Sequence, residues 1–210
     1  MRGGRIVGNR AFSFGRAGST HLDNGDERPF PAGVRVGGGS NFTMYGGVIE
    51  DNQTSVFSYT ISPGNGEIVT PGSRSFVNID VAAYNSDRIT MAEGNGRIGS
   101  LLLHGEGSGI SLTPTAMTSH PHVYIEPGFR GEIQRLYLQF RFHYQRGNVL
   151  TYRVPQAWND RHVVRGNGFR EFMSQPGARL GLGRFYGYGV RLNYVSQTHF
   201  INANGVLQRN

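Results

Sequence analysis

The sequence predicts an all-β protein, an antiparallel β-sandwich or jelly roll with an extended Gly/Arg-rich N-terminal arm. Three observations carry that expectation. Short runs of alternating apolar and polar residues recur along the chain, separated by Gly, Asn, Pro and Asp, as in strands with one face in a core. Glycine takes 32 of the 210 positions while apolar residues reach only 37%, so turns are abundant and helix formers scarce. The longest alternation, Glu132 to Val154, is broken only at Arg146-Gly147-Asn148 and has the form of a hairpin.

That hairpin organises the expected sheet. Leu136, Leu138, Phe140, Phe142 and Tyr144 fall on one face, and Arg135, Tyr137, Gln139, Arg141, His143 and Gln145 fall on the other. A three-residue loop places Phe142 opposite Tyr152 and Phe140 opposite Val154, keeping apolar residues on one side. The outer face then carries Arg135, Arg141, His143 and Arg153, with Arg141 facing Arg153. Like charges in register destabilise a pair of strands, which an anionic partner would relieve.

Residues 1–47 read as an arm. Gly, Arg, Ser and Asn crowd it, yet Ile6, Val7, Phe12, Phe14 and Phe30 are too apolar for a free linker, so the segment is expected to lie along a surface. Arg2, Arg5, Arg10 and Arg16, spaced among glycines, suit contact with a nucleic-acid backbone. Residues 48–210 form the single domain, of a size one core can support. Within it, strands are expected at 54–61, 75–84, 88–91, 97–104, 122–126 and 186–194, with a closing hairpin over 198–207 and a helical turn at 169–173. Between Ser75 and Tyr84 the inward residues are Val77, Ile79, Val81 and Ala83. The run Ile98 to Leu103 is too apolar for a half-exposed strand and is expected to be buried on both faces. Gly-Asn-Gly occurs at 64–66, 94–96 and 166–168, which is recurrent turn chemistry on unlike flanks.

Charge is uneven. All 21 basic residues are arginine, and the net charge of +7 divides as +3 over residues 1–35, −5 over 36–129 and +9 over 130–210. Arginine favours bidentate contact with phosphate and carboxylate, and the split suggests a polarised surface or head-to-tail subunits. Cysteine is absent, which excludes disulfides and thiolate metal sites. No apolar run approaches the roughly 20 residues that span a bilayer, and no apolar segment follows the charged amino terminus, so no signal peptide is expected.

The motifs of common enzyme classes are missing, and the sequence predicts no catalytic constellation, no metal and no cofactor. His104 and Glu106 are the place where acid–base groups cluster. His120-Pro-His122 reads as two loop histidines without a local carboxylate to complete a metal site. Trp158 reads as a cap on the end of the sandwich, with a stacking platform as the alternative.

An arm of this length before a domain of this size resembles the layout of a small viral or phage coat protein. That resemblance implies a self-assembling structural protein of a virion, a homo-oligomer whose arginines meet nucleic acid. Two other readings fit the composition: a lysine-free β-sandwich toxin, membrane-binding or ADP-ribosylating, and a carbohydrate-binding module.

Overall fold

The computed structural model describes residues 1–17, 31–61, 68–109, 117–144, 158, 160–176, 178, 180–182 and 199–209. Its strands run mainly parallel, and this overturns the antiparallel sandwich or jelly roll. β1 (Arg5–Val7), β2 (Arg10–Ala17), β3 (Val34–Val36), β4 (Asn41–Met44) and β5 (Val48–Glu50) come first. β6 (Gln53–Ile61) and β7 (Ile68–Asn78) form an antiparallel excursion before β8 (Val81–Tyr84), β9 (Arg88–Met91) and β10 (Arg97–Gly109). Then follow β11 (Met117–Ser119), β12 (His122–Ile125), β13 (Glu132–Tyr144), β14 (Val164–Arg165), α1 (Phe169–Ser174) and β15 (Leu180–Leu182). The strands β16 (His199–Ile201) and β17 (Leu207–Arg209) pair antiparallel, and with α1 they match the closing hairpin and helical turn expected from sequence.

Register shows how the chain winds. β3 lies on β8, β8 on β10 and β10 on β13, all parallel, with Val34, Val81, Leu101 and Leu136 aligned. β4, β9, β12 and β14 stack the same way in a separate four-stranded sheet. β1, β5, the start of β10, the start of β13 and β15 stack on a third side, aligning Ile6, Ile49, Ile98, Ile133 and Leu180. Each turn of the chain thus visits three sides in order and settles on the previous turn. β10 and β13 run unbroken round one corner, joining the first and third sides into a curled eight-stranded sheet that the four-stranded sheet closes.

Alternation puts the aligned residues inside. Met44 and Met91 with Ile125, Ile89 with Val123 and Val164, and Ala83 with Leu103 and Leu138 stack in columns within one core. A buried methylene contributes about 0.8 kcal/mol, so like-on-like columns of large side chains supply most of the adhesion between turns. The corners need small residues. Gly94 (φ +134°) and Gly166 (φ +107°) follow β9 and β14 at the same corner, and a Cβ would lie 2.0 Å from Tyr45 O in one case and 2.2 Å from Ile125 O in the other. Two of the three Gly-Asn-Gly motifs therefore mark equivalent corners of the coil; the third lies outside the described residues.

At the corner spanned by β10, a buried polar column links successive turns. The Asn9 backbone N–H and side-chain amide both donate to Asn52 Oδ1, at 3.1 and 2.8 Å. Asn52 donates from its backbone and its side chain to Asp80 Oδ1, each at 2.8 Å. Ser100 Oγ donates to Asp80 Oδ2 at 2.6 Å and accepts from the Asp80 N–H at 3.0 Å. Asn52, Asp80 and Ser100 are all buried, and both oxygens of the carboxylate accept hydrogen bonds within the column.

Several expectations change in this frame. The predicted strand 75–84 breaks between β7 and β8: Val81 and Ala83 enter the main core, whereas Ile79 packs with Ala82, Tyr84, Leu102 and Tyr137 on the other side of the sheet. The expected outer face of β13 is not free, since Tyr137 and Gln139 are 7% and 5% exposed. On one edge its neighbour is β10 in parallel, with Arg141 in register with Glu106. Strands in parallel sheets are covered on both faces, and the expected two-sided burial of Ile98 to Leu103 follows from the same fact. The second strand of the predicted hairpin, with Arg153, and the predicted strand 186–194 lie outside the described residues. From the expected arm, β1, β3 and β4 are strands of the coil itself.

The polar column has a direct test. Asn52→Ala removes the side-chain donor to the buried Asp80 carboxylate and the acceptor of both Asn9 hydrogen bonds and should cost about 2–3 kcal/mol, whereas Asn78→Ala, exposed nearby, should stay within roughly half a kcal/mol. Chemical denaturation of the two variants measures the difference.

Candidate functional site: the outer face of the four-stranded sheet

Because Phe42, Met44, Ile89, Met91, Val123, Ile125 and Val164 point into the core, their neighbours on β4, β9, β12 and β14 point out. These are Asn41 and Thr43, Arg88 and Thr90, His122 and Tyr124, and Arg165. Register aligns Asn41 with Arg88 and His122 in one column, and Thr43 with Thr90, Tyr124 and Arg165 in the next. The face is polar and neutral at its first turn and cationic at its last.

At the neutral end a short hydrogen-bond chain fixes the side chains. Thr90 Oγ1 donates to Asn41 Oδ1 at 2.8 Å, and Asn41 Nδ2 donates to Thr43 Oγ1 at 3.1 Å. At the cationic end the Arg88 guanidinium lies over the Tyr124 ring, 5.5 Å from its centroid, a favourable cation–π placement. Arg165 flanks Tyr124 on the following turn, and Arg161 and His162 lead into β14. Among the described residues no carboxylate forms an ion pair with Arg88, Arg161 or Arg165. Glu126 continues the outward alternation one step beyond Tyr124.

The histidines report this field. His120 is lowered from 6.5 to about 4 by burial first, then by Arg165, Arg161 and His162. His122 is lowered to about 4 by burial, Arg165, His120 and Arg88. Both rings are neutral near pH 7, so the charge of the face there comes from its guanidinium groups. Among the described residues no group of three or more His, Asp or Glu could hold a metal ion.

A second polar group lies on β10 and β13. His104 is 2% exposed, its Nδ1 is 2.7 Å from Gln139 Oε1, its Nε2 is 3.5 Å from Glu106 Oε1, and its ring centroid is 5.4 Å from that of Tyr84. The sequence marked His104 and Glu106 as the place to look for acid–base groups, and the structure does bring them together. Register explains it: β10 and β13 align His104 with Gln139 and Glu106 with Arg141.

The residues expected to contact nucleic acid stand near the amino terminus and on β1, β2 and β13, with Arg153 outside the described residues. Arg2 is exposed over the Tyr45 ring at 5.4 Å, and Arg5 is exposed 3.8 Å from Glu50 in an ion-pair ladder that continues through Arg97 to Glu132. Arg10 and Arg16 stand on β2, in register with Gln53 and Tyr59. Arg135 is exposed on β13 in register with Ser100, while Arg141 and His143 align with Glu106 and Ser108. Sequence reasoning missed Arg88, Tyr124, Arg161 and Arg165, whose strands are separated by long insertions. Trp158 is fully buried, donating from Nε1 to Gln139 O at 3.0 Å, which removes the stacking-platform alternative.

No helix among the described residues is long and apolar enough to cross a membrane. Comparisons with protein-family models, curated proteins and solved structures find no match.

The titration of the face is measurable. A histidine whose folded pKa is depressed leaves the unfolded chain holding more protons between the two values, so stability falls as pH drops. Thermal stability should decline from pH 6.5 toward pH 4, and His120→Gln with His122→Gln should flatten that decline. An unchanged slope in the double variant would assign the acid sensitivity elsewhere.

Proposed function

We propose that this chain is a structural binding protein whose four-stranded face holds an extended anionic polymer. The observation that carries the reading is the convergence of Arg88, Arg161 and Arg165 on one side of the coil with no carboxylate paired to them among the described residues. Unneutralised guanidinium groups gathered beside each other repel, and a fold retains them at little cost only when an anion joins them. The rigid backbone of stacked turns holds the groups in place before binding, which reduces the ordering cost of association. The net charge of +7 adds long-range attraction.

Self-association, the other half of the coat-like expectation, is supported by β1. Among the described residues it pairs along one edge only, with β5, and a free strand edge is a template for another chain. Light scattering at low salt should then report a mass above the 23.1 kDa chain, and a monomer at every concentration would remove this half of the proposal.

Binding itself is tested on immobilised heparin. The protein should be retained at low salt, and the double variant Arg88→Gln with Arg165→Gln should elute at clearly lower salt with an unchanged circular dichroism spectrum. Equal retention of the two proteins would move the anion contact to another surface.

A further inference from the structure

Resting on that reading, we infer that anion binding on the four-stranded face is coupled to proton uptake by His120 and His122, so that acid strengthens binding. The coupling follows from the groups that surround the two rings.

The elements around them bring cations. β9 brings Arg88, β14 brings Arg165, and the segment leading into β14 brings Arg161 and His162. His122 stands in register with Arg88, and the next outward residue, Tyr124, stands in register with Arg165. The nearby carboxylates are committed or remote. Asp87 accepts the Ser40 and Tyr84 N–H groups with its two oxygens, and Glu126 stands about 13 Å along the strand from His122. Neither they nor Asp160 are among the groups that move either ring.

Two effects keep both rings neutral near pH 7, and a ligand can change only one of them. Burial is the larger. His120 packs against Trp158 with 5.6 Å between ring centroids, and its Nε2 is buried without a hydrogen-bond partner among the described residues. The field of the neighbouring cations adds to burial, and together they hold both rings at about 4. An acid group bound at Arg88 and Arg165 cancels part of that field and leaves the burial as it was. The proton affinity of both rings then rises. Coupling is reciprocal, so whatever factor the anion adds to proton binding, protons add to anion binding. The ring nitrogens take protons from solvent as the anion arrives. Affinity therefore climbs as pH falls from neutrality and levels off below the free-ring value of about 4.

The same geometry supplies a reporter. Trp158 is the one tryptophan in the chain, and its ring lies against His120. A protonated imidazole quenches a neighbouring indole, so Trp158 emission reads the charge on His120.

The test titrates that emission with acid, with and without saturating dextran sulfate, whose sulfate esters stay ionised throughout. The quenching midpoint, near 4 in the free protein, should move upward with the polymer bound, and His120→Gln should remove the transition. Circular dichroism follows the fold at each pH. A second measurement avoids strong acid: calorimetry at about pH 5.5, in buffers of different ionisation enthalpy, counts the protons exchanged on binding. The wild-type chain should take up protons there and bind about threefold or more tighter than at neutral pH. The double variant His120→Gln with His122→Gln should lose most of both effects. Binding without proton uptake, or equal uptake in the double variant, would overturn the coupling and leave the anionic-polymer reading intact. Failure of the folded protein to bind dextran sulfate at either pH would overturn both.

Discussion

The structure depends on one constraint, the in-register parallel stacking of successive turns. Once Val81 lies on Val34 and Leu101 on Val81, every residue in a turn is committed to a neighbour of its own kind about 4.8 Å away. Apolar residues inside become columns, and polar residues at the corner become a hydrogen-bonded ladder. A one-residue slip would exchange the inside and outside of a whole strand. It would also pull Asn52 away from Asp80 and leave buried donors and acceptors without partners, a loss of about 1–3 kcal/mol for each group. Aliphatic columns tolerate small displacements, while the polar column at Asn9, Asn52, Asp80 and Ser100 does not. The first supplies most of the adhesion and the second fixes the register.

The same stacking that repeats the interior also repeats the exterior, and there it has opposite consequences on different sides. On the third side, charges alternate in sign from turn to turn: Arg5 approaches Glu50, Glu50 meets Arg97, and Arg97 meets Glu132 at 2.7 Å. Such a ladder neutralises itself. On the four-stranded sheet no acid interleaves with Arg88 and Arg165 in the two columns, and the cations accumulate. The contrast matters because exposed arginines are unremarkable singly. One fold with one turn spacing pairs its charges on one face and, among the described residues, leaves those of another face without a paired carboxylate.

Much of the local structure was legible in the sequence. The strands around Val81, Ile89 and Leu101, the helical turn at Phe169 and the final hairpin follow from alternation and turn residues. Strand direction was not, because a period of two is identical in parallel and antiparallel sheets. Aligned residues of successive turns fall at 34, 81, 101 and 136, and such unequal steps hide any repeat from a search for a fixed period. The insertions that stretch those steps, β6 with β7 among them, leave the coil at its corners and return to it. Two signals did point to the answer: the run Ile98 to Leu103 was too apolar for a half-exposed strand, and Gly-Asn-Gly recurred because the coil turns the same corner more than once. The site was less legible than the fold. Arg88, Tyr124 and Arg165 are far apart in the chain and become neighbours only through parallel register.

The position of the cationic patch within the coil follows from the same winding. Arg161 and His162 precede β14, where the chain is held by the bridge between His162 and Val206 and by hydrogen bonds from Val163 and Val164 to Gly205 O. The closing hairpin thus braces the last turn of the four-stranded sheet, the turn that carries Arg165. Burial together with that field pushes His120 and His122 down to about 4, which keeps further charge out of the patch at neutral pH.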